Sequence, residues 1–305
     1  MLRIAAVVLT HNSDEDLPDC LSGLLNQRGV ELDIIVVDNA SEPARRKRTA
    51  NVVRSMVPNA QTIAAGQTVP PDYRGGDGLF VINSTNGGYS AGNNIGARIA
   101  AKLGCVAVLI VNPDVRIHID DYILRLSVAL LGDDRNAVAA SAIRNLAAAS
   151  ENPMYEPNFI QELLAPFSMI LAVLPFGPRY RPSAGSYAAD KLSGCCFLIR
   201  TTFLEQIGYF DEKVFLYCEE AILAAQIRQA GYRSLCLGDI EALHAHRSSA
   251  KGDPVRRWRM WSRSRRYYHR RYLGYGAARR LALAASHRLI IALSWLHSRT
   301  SAGAR

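Results

Sequence analysis

Short apolar runs alternate with segments of helical periodicity through the first half of the chain. The apolar runs predict buried strands at residues 4–9, 34–37, 79–83 and 106–111. The segments between them predict helices at residues 17–27, 45–57 and 91–103. Continuously apolar strands that alternate with helices are typical of a mostly parallel sheet with helices on both faces. We therefore expect an α/β fold.

Polar residues follow the carboxyl ends of these predicted strands. Thr10-His11-Asn12 follows the first strand, Asp38-Asn39-Ala40-Ser41 the second and Asn86-Gly87-Gly88 the third. Open α/β sheets bind ligands beyond the carboxyl ends of their strands. This arrangement predicts a nucleotide-binding site at that edge of the sheet.

The regular pattern weakens between residues 147 and 189, where six prolines interrupt the chain. We interpret this stretch as a variable loop region or a flap. Strands are predicted again at residues 192–199 and 235–237, with a helix at residues 219–230 that ends before Gly231.

The last part of the chain is strongly basic. Residues 247–305 hold 15 of the 36 Lys and Arg residues and one of the 27 acids, Asp253, although the whole chain carries a net charge of +9. We predict a globular domain at residues 1–246 and a basic, amphipathic helical extension at residues 247–305. Its charge favours an anionic partner, which is a membrane surface, a phosphorylated lipid or a nucleic acid.

Asp253-Pro254 predicts the start of a helix, with Asp as the cap and Pro in the first turn. At about 100° per residue, the aromatic and the basic residues of this helix fall on opposite sides. The two sets are Trp258, Trp261, Tyr268, Tyr272 and Tyr275, and Arg256, Arg259, Arg263, Arg266 and Arg270. Residues 281–296 form a second amphipathic segment.

Two placements of the basic extension stay open. In the first, the aromatic face packs on the domain and leaves the arginines in solvent. In the second, the helices lie on an anionic membrane. A nucleic-acid partner is disfavoured, because no nucleic-acid-binding module is visible in the sequence.

The six cysteines lack the spacing of a metal site or of a disulfide framework. We interpret them as reduced thiols of a cytoplasmic protein. No signal peptide or stretch of about 20 apolar residues is recognised. These features predict a cytoplasmic location. If the basic extension binds a membrane, the protein is expected to attach peripherally to the inner face of the cell membrane.

An ordered set of motifs resembles the inverting family 2 glycosyltransferases, and in particular their rhamnosyltransferase-like branch. The motifs are VVLTHN, VVDNAS, NGGYSAGNN, VNPDV, LSGCCFLIR, IGYFDEKVFLYCEE and IRQAGYR, between residue 3 and about residue 246. The resemblance implies the nucleotide-diphospho-sugar transferase (GT-A) fold. It also implies metal-dependent transfer of rhamnose or a hexose, from dTDP-rhamnose or a UDP-sugar, to a glycan or lipid-linked acceptor in surface polysaccharide synthesis.

The resemblance assigns nucleotide binding to the first two polar clusters. Asp38 would accept a hydrogen bond from the pyrimidine base, with Asn39 and Ser41 beside it, and Thr10 and Asn12 would flank the same nucleotide. An ordinary turn with a helix cap is the alternative interpretation of the Asp38 cluster.

The segment from Asn86 to the pair Asn93-Asn94 opens a helix. Gly87 and Gly88 let the backbone approach a ligand, and a helix amino terminus favours an anionic phosphate. A structural turn is the alternative interpretation.

Asn112-Pro113-Asp114 resembles the family's DxD motif. Pro113 lacks an N–H and ends the strand, so Asp114 is expected to face the cleft and to bind Mg²⁺ or Mn²⁺. Asn112 replaces the first acid of the motif, which leaves one carboxylate. The resemblance suggests a histidine as a further ligand, and we favour His244 over His246, although either one could simply pack.

Glu219-Glu220 matches the family's acidic pair at a helix start. The resemblance makes Glu220 the general base and Glu219 its partner, with Gly194 near the acceptor side of the cleft. Two acids that complement the helix dipole are the alternative. We expect Asp114 and Glu220 to converge on one pocket. A nucleotidyltransferase and a non-catalytic nucleotide-sugar-binding or membrane-associated protein are the rival functions.

Overall fold

The computed structural model describes residues 1–57, 59–171, 185–246 and 253–302. Within them the strands are β1 Leu2–Thr10, β2 Val30–Asn39, β3 Gln61–Ala64, β4 Gly78–Asn83, β5 Ala107–Val111, β6 Val115–Arg116, β7 Asn136–Asn145, β8 Ser186–Ala189, β9 Cys196–Arg200 and β10 Arg233–His244. The helices are α1 Leu17–Leu25, α2 Pro43–Met56, α3 Tyr89–Lys102, α4 Tyr122–Leu131, α5 Phe159–Leu171, α6 Thr201–Gln206, α7 Glu219–Gln229, α8 Pro254–Arg271 and α9 Ala277–Ala302.

One mixed sheet runs through the molecule in the order β3-β4-β2-β1-β5-β9-β7-β10-β6, with β8 on β10. The half from β3 to β5 is parallel. The apolar runs predict β1, β2, β4 and β5 in this half, but not the short edge strand β3. In the other half β9 runs antiparallel to both of its neighbours, and β10 is parallel to β7. The expected mostly parallel α/β sheet is therefore confirmed, with an antiparallel strand between its halves.

Helices cover both faces of the sheet because the strand residues alternate between two apolar layers. Ala6 and Val8 of β1 face the layer that contains α1 and α4, whereas Ala5 and Val7 face the layer of α3 and α7. The strand ends are thereby held at one edge of a rigid sheet, where their polar extensions meet.

The two C-terminal helices pack on the sheet domain. Tyr268 of α8 is fully buried against Ile222 and Ala225 of α7, and the hydroxyls of Tyr267 and Tyr272 donate to Asp211 at 2.6 and 2.7 Å. The arginines on the opposite side of α8 are exposed, as the helical projection predicts. Packing of the aromatic face on the domain is thus observed. The division at residue 246 stays a prediction, and residues 247–252 and 303–305 of the predicted extension lie outside the described residues.

A buried carboxylate ties α5 to the C-terminal helices. Glu162 of α5 accepts from Arg265 and His269 of α8 and from His287 of α9. Arg265 also donates to Glu156 at 2.5 Å. Burial alone would raise the pKa of Glu162, but hydrogen bonds from the two histidines and Arg265 hold it well below its usual range.

In the part of the chain that the structure describes, no helix combines the length and apolar character needed to cross a bilayer. All six cysteines fall within this part; each is buried, and none forms a disulfide.

Candidate functional site

A cleft of about 280 Å³ opens at the carboxyl ends of β1, β2 and β5. His11 and Ser13 after β1, Asn39 at the end of β2 and Asp114 after β5 line it. Its remaining wall comes from the start of α3 and from the loop before α7, at Phe215 and Leu216. The cleft lies where the polar clusters of the sequence predict a ligand.

Asp38 lies buried at the end of β2, beside the cleft residue Asn39. Its Oδ2 accepts from Arg46 at 2.8 Å and from the Ser41 N–H at 3.3 Å, while its Oδ1 has no hydrogen-bond partner in the described structure. A buried acceptor without a donor is costly. Asp38 is fully buried and does not itself line the cleft, so base binding by this oxygen stays a prediction.

The other predicted nucleotide contacts of this region are engaged within the protein. The Thr10 hydroxyl is buried and donates to the Val37 carbonyl, so it does not line the cleft. Asn12 accepts from the Glu42 N–H and its own N–H donates to Ser41 Oγ, which joins the loop after β1 to the start of α2. Their roles as nucleotide contacts stay predictions.

Gly88 brings the α3 loop against the loop before α7. It has φ +92°, and a Cβ there would lie 2.0 Å from the carbonyl oxygen of Phe215. The Tyr89 N–H also donates to that oxygen at 3.0 Å. Glycine is therefore required here both by the backbone conformation and by the close approach.

Amides hold this loop in place. Asn39 Nδ2 donates to Asn86 Oδ1 at 3.0 Å, and both residues line the cleft. Asn93 is buried on α3, donates to the Tyr89 carbonyl and leaves its Oδ1 without a partner. A Cβ at Gly87 would contact Ala91 at 2.8 Å. The structure thus supports a scaffold role for this motif and leaves phosphate binding as a prediction.

Asp114 lines the cleft, and two histidines lie beside it. His244 Nε2 and His246 Nδ1 each lie 3.3 Å from Asp114 Oδ2. One ligand atom from each residue falls within 4.8 Å of the others. Asp114 Oδ1 and His246 Nε2 are buried and have no hydrogen-bond partner in the described structure. These oxygen and imidazole donors fit a divalent cation.

Glu151 supports this cluster from outside. Its Oε2 lies 2.6 Å from Nδ1 of His244, so Nε2 is directed toward Asp114. Burial by itself lowers the pKa of His244, but Asp114 and Glu151 raise it to about 9. A carboxylate behind a ligating histidine is the usual arrangement at metal sites.

The two acids at the start of α7 are partly exposed and close to Gly194. A Cβ at Gly194 would lie 3.2 Å from Glu220 Oε1, so even alanine there would require a small movement of a neighbouring side chain. Burial, and then the charge of Glu220, raise the pKa of Glu219 to about 8. Glu219 Oε1 is buried and has no hydrogen-bond partner in the described structure.

The single pocket expected for Asp114 and Glu220 is divided. Asp114 lines the cleft, whereas Glu219 and Glu220 line a cavity of about 20 Å³, and Tyr89 belongs to both walls. The Tyr89 hydroxyl donates to the Gly194 carbonyl. The two acidic sites are therefore neighbours, with the Tyr89 side chain as a wall common to both.

The sequence motifs indicate both histidines but do not indicate Glu151 or Tyr89. Glu151 stands in the proline-interrupted stretch, which carries no periodic signal. Tyr89 belongs to the NGGYSAGNN motif, and an aromatic residue at a glycine-rich helix start was the available signal. Asn112 lines the cleft, and its N–H donates to Cys195, next to Gly194.

Comparison with solved structures decides the fold. A mannosyltransferase from Pyrobaculum calidifontis, solved with GDP-Man and Mn²⁺, aligns over 98% of this chain and 75% of its own with a TM-score of 0.57 at 16% identity. GalNAc-T7, solved with UDP, GalNAc and Mn²⁺, aligns over 90% of this chain and 49% of its own with a TM-score of 0.61 at 14% identity. The chain has the GT-A fold.

Curated relatives of this GT-A protein are named as glycosyltransferases. The low-salt glycan biosynthesis hexosyltransferase Agl10 of Haloferax volcanii is 24% identical over 245 residues, which is 79% of this chain and 66% of that protein. An N-acetylglucosaminyl-diphospho-decaprenol L-rhamnosyltransferase of Mycobacterium tuberculosis is 33% identical over 91 residues, which is 27% of this chain and 29% of that protein. The chain thus spans only part of both relatives.

No protein-family model matches the chain. The named relatives nevertheless confirm the predicted resemblance to glycosyltransferases of the family 2 type, and the solved structures confirm the GT-A fold.

Proposed function

We propose that this protein is a metal-dependent, inverting glycosyltransferase that moves a hexose or rhamnose from a nucleoside-diphosphate sugar to a glycan or lipid-linked acceptor. The observation that carries the proposal is the cluster of Asp114, His244 and His246, of which Asp114 lines the cleft. The cleft lies at the ligand-binding edge of an open α/β sheet.

Asp114, His244 and His246 would hold the cation, which is Mg²⁺ or Mn²⁺. A cation there supplies positive charge that stabilises the departing nucleoside diphosphate. The solved structures named above contain Mn²⁺ together with GDP-Man in one case and with UDP and GalNAc in the other. Asp38 would bind the base through its unpaired Oδ1. The donor candidates are dTDP-rhamnose, a UDP-sugar and a GDP-sugar.

Glu220 is the proposed general base. The raised pKa of Glu219 keeps a proton on the acidic pair near neutral pH, and with that proton on Glu219, Glu220 is left to accept another. The acceptor hydroxyl gives its proton to Glu220 as its oxygen bonds to the anomeric carbon. The bond from that carbon to the diphosphate breaks on the opposite side, which inverts the configuration.

A lipid-linked acceptor is supported by the name of the rhamnosyltransferase relative, which specifies a diphospho-decaprenol substrate. Surface polysaccharide or glycolipid synthesis and a cytoplasmic location are part of the same proposal.

The test measures donor binding and turnover separately. A thermal-shift screen of UDP-, dTDP- and GDP-sugars with Mn²⁺ or Mg²⁺ identifies the donor, and release of the nucleoside diphosphate then reports hydrolysis or transfer. We expect Glu220→Gln to lower turnover by about 10²- to 10⁴-fold with nearly unchanged donor binding. Asp114→Asn should weaken both cation and donor binding.

Glu205→Gln is the matched control, because Glu205 is an exposed acid on α6, away from both cavities. Full turnover by Glu220→Gln would reject its role as the base. Donor binding by the wild type with no turnover on any acceptor would favour the non-catalytic binding protein instead.

A further inference from the structure

A basic groove of about 490 Å³ lies between α8 and α9. Its guanidinium groups come from Arg263, Arg266 and Arg270 on α8 and from Arg280 on α9. In the described part of the chain, none of these four side chains has a hydrogen bond or an ion pair. Four cations in one groove without a counter-ion make a local excess of positive charge, which attracts anions.

The arginines of the groove differ from Arg265 on the same helix. Arg265 is buried and is satisfied by Glu156 and Glu162. Arg263 lies two positions before Arg265, and Arg266 lies one position after it. Both are exposed on the outer side of α8. The chain therefore uses one arginine to fix the helix and leaves the others available to a partner.

An apolar stripe on α9 continues from this groove. Leu281 lines the groove and is 71% exposed. Further along the helix the same side presents Ala285, Leu289, Ala292 and Leu296, all exposed and spaced by three or four residues. Leu283 and Ile290, on the opposite side of α9, are buried. The helix thus has two apolar sides, and the protein covers one of them.

We propose that the four-arginine groove and the apolar stripe of α9 together bind the surface of an anionic lipid bilayer. The groove would take lipid phosphate groups, and the stripe would enter the boundary between head groups and acyl chains. The commitment to a bilayer rests on the continuity of charge and apolar surface at Leu281, because a soluble phosphate needs only the charge.

The position of this surface also relates it to the acidic pair. The inner side of α8 packs through Tyr268 on α7, the helix that begins with Glu219 and Glu220. A bilayer on the outer side of α8 would therefore lie on the same flank of the molecule as α7. The membrane proposal does not require the proposed transfer activity and is tested without it.

The test is flotation of the whole protein with lipid vesicles. We expect the wild type to float with vesicles that contain phosphatidylglycerol and to stay unbound with vesicles of phosphatidylcholine alone. The groove variant combines Arg263→Gln, Arg266→Gln, Arg270→Gln and Arg280→Gln. It should bind the vesicles about 100-fold more weakly or worse, since each basic residue near an anionic membrane contributes about fivefold to binding.

The matched control removes four positive charges elsewhere, by Lys47→Gln, Arg54→Gln, Arg74→Gln and Lys102→Gln together. These four residues are exposed on the sheet domain, and we expect this variant to float like the wild type. A third variant, Leu281→Gln with Leu289→Gln and Leu296→Gln, keeps the groove charge and should also lose binding. Circular dichroism and thermal midpoints verify that all three variants fold.

Three results would overturn the proposal. The first is equal flotation of the groove variant and the wild type, or an equal loss in the control. The second is a wild type that does not float but is stabilised by inorganic phosphate through the groove. The third is a wild type that does not float but retards a single-stranded RNA.

Discussion

At the scale of single residues, the proposed cation site depends on a carboxylate outside the cluster of Asp114, His244 and His246. Glu151 lies 2.6 Å from Nδ1 of His244 and fixes the direction of the opposite nitrogen. Such supporting groups commonly account for about 10- to 100-fold in metal affinity. Glu151 is therefore expected to act on cation binding through His244.

We predict that Glu151→Ala weakens Mn²⁺ binding by about 10- to 100-fold, measured by calorimetry on the protein without a donor. Glu151→Gln should be intermediate, because an amide oxygen can still accept from His244 but brings no charge. The control is Glu241→Gln, an exposed acid on the same strand as His244. If Glu151→Ala binds Mn²⁺ with wild-type affinity, Glu151 does not position His244 for cation binding.

The candidate site could be predicted from sequence where a motif places a residue directly after a strand. Asp114 follows β5 behind Pro113, so its position in the cleft is a local consequence of the strand ending there. Glu151 reaches His244 across 93 positions of sequence, and no local pattern encodes that contact. Tyr89 as a shared wall depends in the same way on its long-range bond to Gly194.

At the scale of elements, α5 is held to α8 and α9 by the buried charge of Glu162. Loss of that charge leaves Arg265 without two of its three carboxylate contacts. Removing one partner of a buried pair is far more costly than removing a surface pair, because the remaining charge stays desolvated.

We predict that Glu162→Gln lowers the free energy of unfolding by about 3–5 kcal/mol, measured by urea denaturation near neutral pH. Glu205→Gln, an exposed change of the same kind, should have little effect. A loss below about 1 kcal/mol, the size expected of a surface pair, would show that the network contributes little to stability.

The same network gives the stability a defined pH dependence. The pKa of Glu162 is held well below its usual range in the fold, while an unfolded glutamate titrates near about 4.3. The contribution of Glu162 is thus complete above that pH and is lost as the pH falls below it. The free energy of unfolding of Glu162→Gln, measured by urea denaturation across this pH range, should accordingly change less with pH than that of the wild type.

The helix α5 itself was not predicted, because Pro166 lies inside it and further prolines surround it. Proline disfavours an interior helical position, so a local interpretation of the sequence favours a loop. Contacts with α9, including the hydrogen bonds from Ser286 to the Glu162 and Leu163 carbonyls, support this helix in the fold.

At the scale of the whole molecule, the extension and the sheet domain are expected to unfold together. All three tryptophans, Trp258, Trp261 and Trp295, lie in α8 and α9. Tryptophan fluorescence therefore reports on the extension, while far-ultraviolet circular dichroism reports on the whole chain.

We predict that the two signals give the same urea midpoint in the wild type, as expected for one cooperative unit. The buried links from α8 to α5 and α7 are the physical reason. A fluorescence transition at a clearly lower urea concentration would instead show that the extension unfolds independently of the sheet domain.

The sheet as a whole was foreseen only in its first half. Apolar runs reveal buried strands, and their alternation with helices predicts parallel pairing among β1, β2, β4 and β5. The direction of β9 is not encoded in its apolar pattern, because a fully buried strand is apolar in either direction. The long strand β7 was missed for a related reason: its alanine-rich sequence, NAVAASAIRN, has no strong strand signal.

The pairing of Glu162 with Arg265 restricts how this architecture can be recombined. A chimaera that grafts α8 and α9 onto a related catalytic domain would leave the buried Arg265 without its Glu162 acceptor unless α5 were transferred with it. Substitution of either residue alone would leave a buried charge without its partner. Substitution of both would still leave the buried His269 and His287 without their acceptor. The helices α5, α8 and α9 are accordingly expected to be inherited together. The residues at the positions of Glu162 and Arg265 should covary in relatives that keep all three helices.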